Sequence, residues 1–172
     1  GLGHAILQAK HIITDDFFGI ILADDLILSE PGCLKQLLEI HEKTQSSVLG
    51  VFSASENKVS NYGVISSKNI DGIEKVDGIV EKPKPADAPS NLAVFGRYIL
   101  SKDIFLNIEQ TKPGLNNEIQ LTDAIQDLIS NQDVFALEFE GRRFDCGSKE
   151  GYISAIIDRA STIDKYKSII KK

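Results

Sequence analysis

The chain has 172 residues, 42% of them hydrophobic, which suits one domain, or part of a larger one, with a substantial core. A net charge of −6 and a pI near 5.1 argue against a nucleic-acid or membrane-surface role, which needs a basic face, yet leave room for an anionic substrate held by a few local cations and N–H groups. No apolar run approaches the ~20 residues of a membrane span, no signal peptide is visible, and the chain, which does not begin with Met, reads as a fragment or a processed product.

In chain order, Gly1-Leu2-Gly3-His4-Ala5 leads into a stretch of helical spacing over residues 6–11. Its two glycines permit a tight turn or a close backbone approach to a ligand. Phe18-Gly19-Ile20-Ile21-Leu22-Ala23-Asp24-Asp25 follows, an apolar run ending in two carboxylates. Such a run predicts a strand buried on both faces of a parallel or mixed sheet. Ligands of open α/β sheets bind just beyond such strand ends, so Asp24 stands where a hard cation and a phosphate can meet.

Ser29-Glu30-Pro31 predicts a helix start, with Leu34, Leu37, Leu38 and His41 on one face. His41 reads as a packed or half-exposed helix residue. Residues 47–54 predict a second strand and residues 62–65 a third. Asp71-Gly72 and Asp77-Gly78 are turn signals around a short strand over 73–76. The next strand, from Gly78, is stopped by Pro83 and Pro85, and a Pro- and Asp-rich loop follows. Residues 91–100 form a long apolar strand, expected antiparallel to the one ending at Lys82. Ser101 predicts a helix cap, with the helix reaching about Glu109. A Gly/Pro/Asn loop covers 111–117. An amphipathic helix over 118–129 carries Ile119, Leu121, Ala124, Ile125 and Leu128. Residues 134–139 alternate as a strand. Arg142-Arg143-Phe144-Asp145-Cys146-Gly147 ends on an Asp-x-Gly turn. Ser148 caps a last helix over 150–161, and residues 165–172 read as a basic, frayed end. Strands and helices alternate, then an antiparallel patch interrupts them around 62–100. That order predicts, within a single domain, an α/β fold with an inserted or peripheral mixed sheet rather than a pure βαβ array.

Four groups can carry chemistry. Asp24 and Asp25 suit Mg²⁺, which binds one or two carboxylates and leaves positions for phosphate. Adjacent side chains diverge, so one ligand and one turn residue are expected; alternatively both cap the turn. Asp145, also at a strand end, offers a second carboxylate for the cation or caps the following helix. Glu81-Lys82-Pro83 pairs an acceptor for sugar hydroxyls with a cation for phosphate. Tyr62-Gly63 marks a strand start where a ligand can lie against backbone. Arg142 and Arg143 read as solvated surface. The three histidines have no nucleophile beside them, so acyl transfer is a poor fit. Cys33 and Cys146 belong to no C-x-x-C pair and read as reduced, mostly buried thiols of a cytosolic protein.

Seven pieces then come in one order: Gly1-Leu2-Gly3-His4-Ala5; Ile21-Leu22-Ala23-Asp24-Asp25; Tyr62-Gly63-Val64-Ile65; Val80-Glu81-Lys82-Pro83; Ser90-Asn91-Leu92-Ala93-Val94 with Gly96-Arg97-Tyr98; Asn117-Glu118-Ile119-Gln120-Leu121-Thr122-Asp123-Ala124; and Arg143-Phe144-Asp145-Cys146-Gly147-Ser148. Together they resemble the bacterial UTP–glucose-1-phosphate uridylyltransferases (UDP-glucose pyrophosphorylases) of the sugar nucleotidyltransferase superfamily. The resemblance implies a Rossmann-like, GT-A-like nucleotidyltransferase domain of three layers, α/β/α, with a mixed sheet. It implies a cytoplasmic enzyme that turns UTP and glucose 1-phosphate into UDP-glucose and pyrophosphate with Mg²⁺. It implies dimers or tetramers, and neither nucleic-acid nor membrane partners. By resemblance, Asp24 binds the metal, and Asp145 matches a second metal-binding aspartate of related thymidylyltransferases. Gly1 meets the nucleobase through its backbone. Gly63 and Val94, through backbone, and Glu81 surround the glucose, and Lys82 lies near the sugar phosphate. Asp24 and Lys82 are the residues expected to set the rate.

The sequence departs from that pattern twice. Ala23 stands where many relatives have proline. The family's glycine-rich triphosphate loop, with its Arg and Lys, and the early strands that carry it have no counterpart here. The chain is therefore expected to hold the C-terminal, sugar-binding part of the domain, to leave a sheet edge unpaired, and not to turn over UTP alone. Rival readings are a non-catalytic sugar-nucleotide-binding or regulatory domain, an enzyme for another sugar or for dTTP, and a signalling receiver module. The last needs a phosphoacceptor Asp at the end of an apolar strand, and Asp71 and Asp77 lie in Gly turns instead.

Overall fold

The computed structural model describes residues 1–114 and 117–170. Helix α1 (Leu2–Leu7) precedes strands β1 (Phe17–Ile21) and β2 (Asp25–Leu28), helix α2 (Cys33–Thr44) and strand β3 (Ser47–Ser53). A hairpin of β4 (Gly63–Ile70) and β5 (Ile73–Glu81) follows, then the ten-residue β6 (Leu92–Ser101). Helices α3 (Ile104–Gln110) and α4 (Leu121–Ile129) lead to β7 (Val134–Glu138), β8 (Arg142–Asp145), α5 (Lys149–Ser161) and α6 (Asp164–Ile170).

Six strands form a mixed sheet in the order β1-β6-β3-β7-β5-β4, in which β3–β7 is parallel and the other described pairs are antiparallel. Strand β4 also touches β6 at Val64–Ala93, so five of the strands close a ring. Strand β6 lies between β1 and β3 and is buried from Ala93 to Ser101, which explains its unbroken apolar run. Side-chain alternation then sorts β3 between two helix layers. Val48 faces α2, where it meets Cys33, Leu37, Phe95 and Ile99. Leu49 and Val51 face the other way, into the core that α3 and α4 fill with Ile104, Ile108, Ile125 and Leu128. The result is the expected three-layer α/β/α arrangement. A mixed sheet of this kind is not the all-parallel sheet of a receiver module. Strands β2 and β8 form a separate antiparallel ribbon.

Several local expectations change. Strand β1 is not buried on both faces. It is an edge paired only with β6, and Ile21 is 58% exposed. Strand β6 does not pair with β5; β3 and β1 flank it instead. Asp77-Gly78 is not a turn. Strand β5 runs through it, and the register shifts so that Asp77 is the extra residue of a bulge opposite Ser66 and Ser67. Helix α2 starts two residues later than predicted and turns Leu38 toward solvent, while His41 packs on Phe17. Ser101 ends β6, where its hydroxyl accepts the Asp103 N–H. Residues 118–120 belong to no regular element, Gln120 having an extended backbone, and α4 begins at Leu121. The 164–170 segment is helical rather than frayed. Residues 115–116 of the predicted loop and 171–172 of the tail lie outside the described residues. Ser148 caps α5 as expected, accepting the Gly151 N–H at 3.0 Å.

Candidate active site

The turn after β1 and the turn after β8 meet because β2 and β8 pair, with Asp25 directly opposite Asp145. The Cys146 N–H donates to the Asp24 carbonyl at 2.7 Å and ties the turns together. The Asp24 and Asp145 carboxylates converge over Gly147, where an added Cβ would lie 3.1 Å from an oxygen of each. Asp145 Oδ1 accepts the Gly147 N–H at 3.1 Å, and Oδ2 accepts the Tyr62 hydroxyl at 3.2 Å. Asp24 is exposed.

Asp25 has a different fate from its neighbour. Its side chain is buried, with Oδ2 accepting the Gly96 N–H at 2.8 Å and Oδ1 accepting Arg143 Nε at 2.6 Å. Arg143 is not the solvated surface residue expected from sequence. Its side chain is 12% exposed, stacks over the Phe52, Tyr62 and Phe95 rings at 4.5, 5.0 and 5.7 Å, and reaches within 3.8 Å of Asp145. Burial lowers its pKa, but the Tyr62 hydroxyl and Asp25 raise it by more, so it stays charged. Arg142 does face solvent, paired with Asp158. Arg97, also buried, donates to the Gly96 and Asp25 carbonyls at 2.7 Å each and fixes the turn's backbone.

The opposite wall comes from the β4–β5 hairpin. Gly63 pairs with Glu81 across it, and the Lys82 N–H donates to the Tyr62 carbonyl at 3.0 Å. Lys82 has φ of +45°, a left-handed backbone that aims it differently from the strand before it. Its Nζ lies 3.6 Å from Glu81 Oε1. Glu81 Oε2 accepts the Thr122 hydroxyl at 3.0 Å. Tyr98, buried between these groups, has its pKa raised by burial first and by the charges of Asp25 and Glu81 second, so its hydroxyl keeps its proton.

Asp24, Gly63, Glu81, Lys82, Val94 and Asp145 therefore line one cavity of about 360 Å³. Gly1 does not line it, though Leu2 does; Gly1 packs on Glu118, and the Gly3 N–H donates to the Ile119 carbonyl. Sequence reasoning left open which of Asp24 and Asp25 is the ligand, read Arg143 as surface, and missed the role of Thr122. Arg143 had a findable signal: it is two residues before Asp145 on a strand and so shares its face. Thr122 had none, because its partner is 41 residues away. A larger apolar groove of about 560 Å³ along α5 and α6 has Arg159 as its one charged lining group among the described residues, so the first cavity is the one with chemistry.

Asp24 and Asp145 suit a hard cation. Among the described residues no three His, Cys, Asp or Glu side chains gather as a full protein cage. Mg²⁺ needs no cage, since it keeps waters and takes substrate phosphates beside one or two carboxylates.

The sequence matches the nucleotidyl transferase family over residues 1–162. It is 48% identical over 158 residues to a UTP–glucose-1-phosphate uridylyltransferase of Pseudomonas aeruginosa, covering 90% of this chain and 57% of that protein. It is 44% identical over 177 aligned positions to a Streptococcus pyogenes protein of the same name, covering 99% of this chain and 58% of that one. The fold is similar to a UDP-glucose pyrophosphorylase complexed with UDP-glucose, with a TM-score of 0.91 at 45% identity over 95% of this chain and 63% of that one. A UTP-bound enzyme from Acinetobacter baumannii gives a TM-score of 0.84 at 35% identity, covering 99% and 60%. The chain thus spans less than two thirds of the relatives it matches.

Proposed function

The chain belongs to the nucleotidyl transferase family, and on that premise we propose that it is the sugar-binding part, in one domain, of a UTP–glucose-1-phosphate uridylyltransferase. The observation that carries this reading is the meeting of Asp24, Gly63, Glu81 with Lys82, Val94 and Asp145, brought by five separate segments, in one cavity. The relatives' names supply the substrates, UTP and glucose 1-phosphate.

The roles follow from charge. The phosphate oxygen of glucose 1-phosphate attacks the α-phosphorus of UTP, the bond to the β-phosphate breaks, and pyrophosphate leaves. The attacking group is already anionic, so no base is needed; the obstacle is repulsion between phosphates. Lys82 meets the sugar phosphate. Mg²⁺ held by Asp24 and Asp145 supplies further neutralisation when bound. Glu81 accepts sugar hydroxyls, the backbones of Gly63 and Val94 flank the ring, and Gly1, outside the cavity but next to its lining residue Leu2, meets the nucleobase at the rim. The enzyme works in the cytoplasm, a reading that the two unpaired cysteines support. It self-associates, a reading that the exposed Ile153, Ile156 and Ile157 of α5 support.

Thermal unfolding with UDP-glucose and Mg²⁺ tests the site. The wild-type chain is expected to gain several degrees, and Asp24→Ala and Glu81→Ala to lose that gain. A folded chain that no sugar nucleotide stabilises overturns the reading. The 172 residues carry no glycine-rich triphosphate loop with Arg and Lys. Pyrophosphate release is therefore expected only when such a segment is joined to them.

A further inference from the structure

Glu81 is the acceptor for sugar hydroxyls in this reading, and a carboxylate on a strand end is free to rotate unless something holds it. The holding group is Thr122, the second residue of α4 and a buried one. In a helix interior a threonine hydroxyl bonds a carbonyl of the preceding turn, but the second residue of a helix has no such turn behind it. Here it donates instead to Glu81 Oε2 at 3.0 Å. Lys82 Nζ stands by the other oxygen at 3.6 Å. One oxygen is thus held by a hydrogen bond, the other has a cation nearby, and both keep lone pairs for a ligand.

The other branch of Thr122 does a second job. Its methyl lies 2.6 Å from the place where a Cβ on Gly63 would sit, closer than the Val94 methyl at 3.0 Å. It therefore closes the space behind the Gly63 backbone and leaves that backbone bare toward the cavity.

We propose that Thr122 is a positioning residue for the sugar subsite, aiming the Glu81 carboxylate with its hydroxyl and backing Gly63 with its methyl. This rests on the functional reading above. It adds that sugar affinity, and not nucleotide affinity, depends on α4. The two jobs separate cleanly. Valine keeps the methyl and the volume but has no hydroxyl. Serine keeps the hydroxyl and loses the methyl.

Equilibrium titration of the 172-residue chain with UDP-glucose and with UDP, each with Mg²⁺, tests the proposal. T122V is expected to bind UDP-glucose about tenfold more weakly, the loss typical of a hydrogen bond to a charged group, with UDP affinity unchanged. T122S is expected to bind UDP-glucose more tightly than T122V, because it keeps the hydroxyl, and more weakly than wild type, because it loses the methyl at Gly63. In an E81A background T122V is expected to add much less than it does alone, since the oxygen that accepts the Thr122 hydroxyl is already gone. If T122V does not fold, T122A takes its place with the same expectation. UDP-glucose affinity unchanged in T122V overturns the proposal, and so does an equal loss for UDP and UDP-glucose, which a purely structural role predicts. A wild-type chain that binds neither ligand overturns the functional reading, and the proposal with it.

Discussion

Arg143 places one charge between two carboxylates that face each other across a strand pair. Like charges directly opposite in a ladder repel, and Asp25 and Asp145 are such a pair. Arg143 resolves this by pairing fully with Asp25 at 2.6 Å and standing 3.8 Å from Asp145. One aspartate is thereby neutralised in the interior, and the other remains available at the cavity. The three rings around the guanidinium exclude water and strengthen the pairing. Arg143→Ala leaves Asp25 buried without its partner, which is expected to cost about 3–5 kcal/mol in urea unfolding. Adding Asp25→Asn to that variant is expected to recover part of the loss. A cost below about 1 kcal/mol would show that water reaches Asp25 once the arginine is gone.

At the scale of elements, the site depends on where strands start and stop. Strand β4 begins at Gly63, a position where no side chain fits between the Thr122 methyl and Val94. Strand β5 ends at Glu81 because Pro83 has no N–H to give and Lys82 turns left-handed before it. Gly63→Ala is expected to lower stability by about 1–3 kcal/mol through overpacking and to weaken UDP-glucose binding in the same titration. Unchanged stability would mean that α4 can retreat from the hairpin. The Asp77 bulge and the late start of α4 belong to this scale too. Asp-Gly is a turn signal only when the strand has no partner to continue along, and here β4 supplies one, with β5 carrying Asp77 as an extra, bulged residue.

Across the whole molecule, stability is unevenly spread. Strands β3 and β6 are buried almost throughout and sit between neighbours on both sides. Helix α5 buries only Ala155, and α6 follows it with no described buried residue. Amide hydrogen exchange is therefore expected to be slowest in β3 and β6 and fastest, among regular elements, in α5 and α6. Equal protection in α5 and α6 would show that self-association covers their apolar side chains. No described helix is long and apolar enough to cross a membrane.

The sequence alone determined most of the elements, an α/β class with a mixed sheet, and the motifs that carry Asp24, Gly63, Glu81, Lys82 and Asp145; the three layers and Val94 came from the family resemblance. The elements and motifs rest on local properties: apolar periodicity, prolines that stop a ladder, and short runs whose chemistry is set by adjacent residues. Only the tertiary structure decided which aspartate of Asp24-Asp25 is free. It also showed that Arg143 is buried, that Thr122 holds Glu81, and that β6 pairs with β3 and β1 rather than β5. Each of these depends on contacts between residues tens of positions apart, where the fold brings a partner that no local pattern encodes.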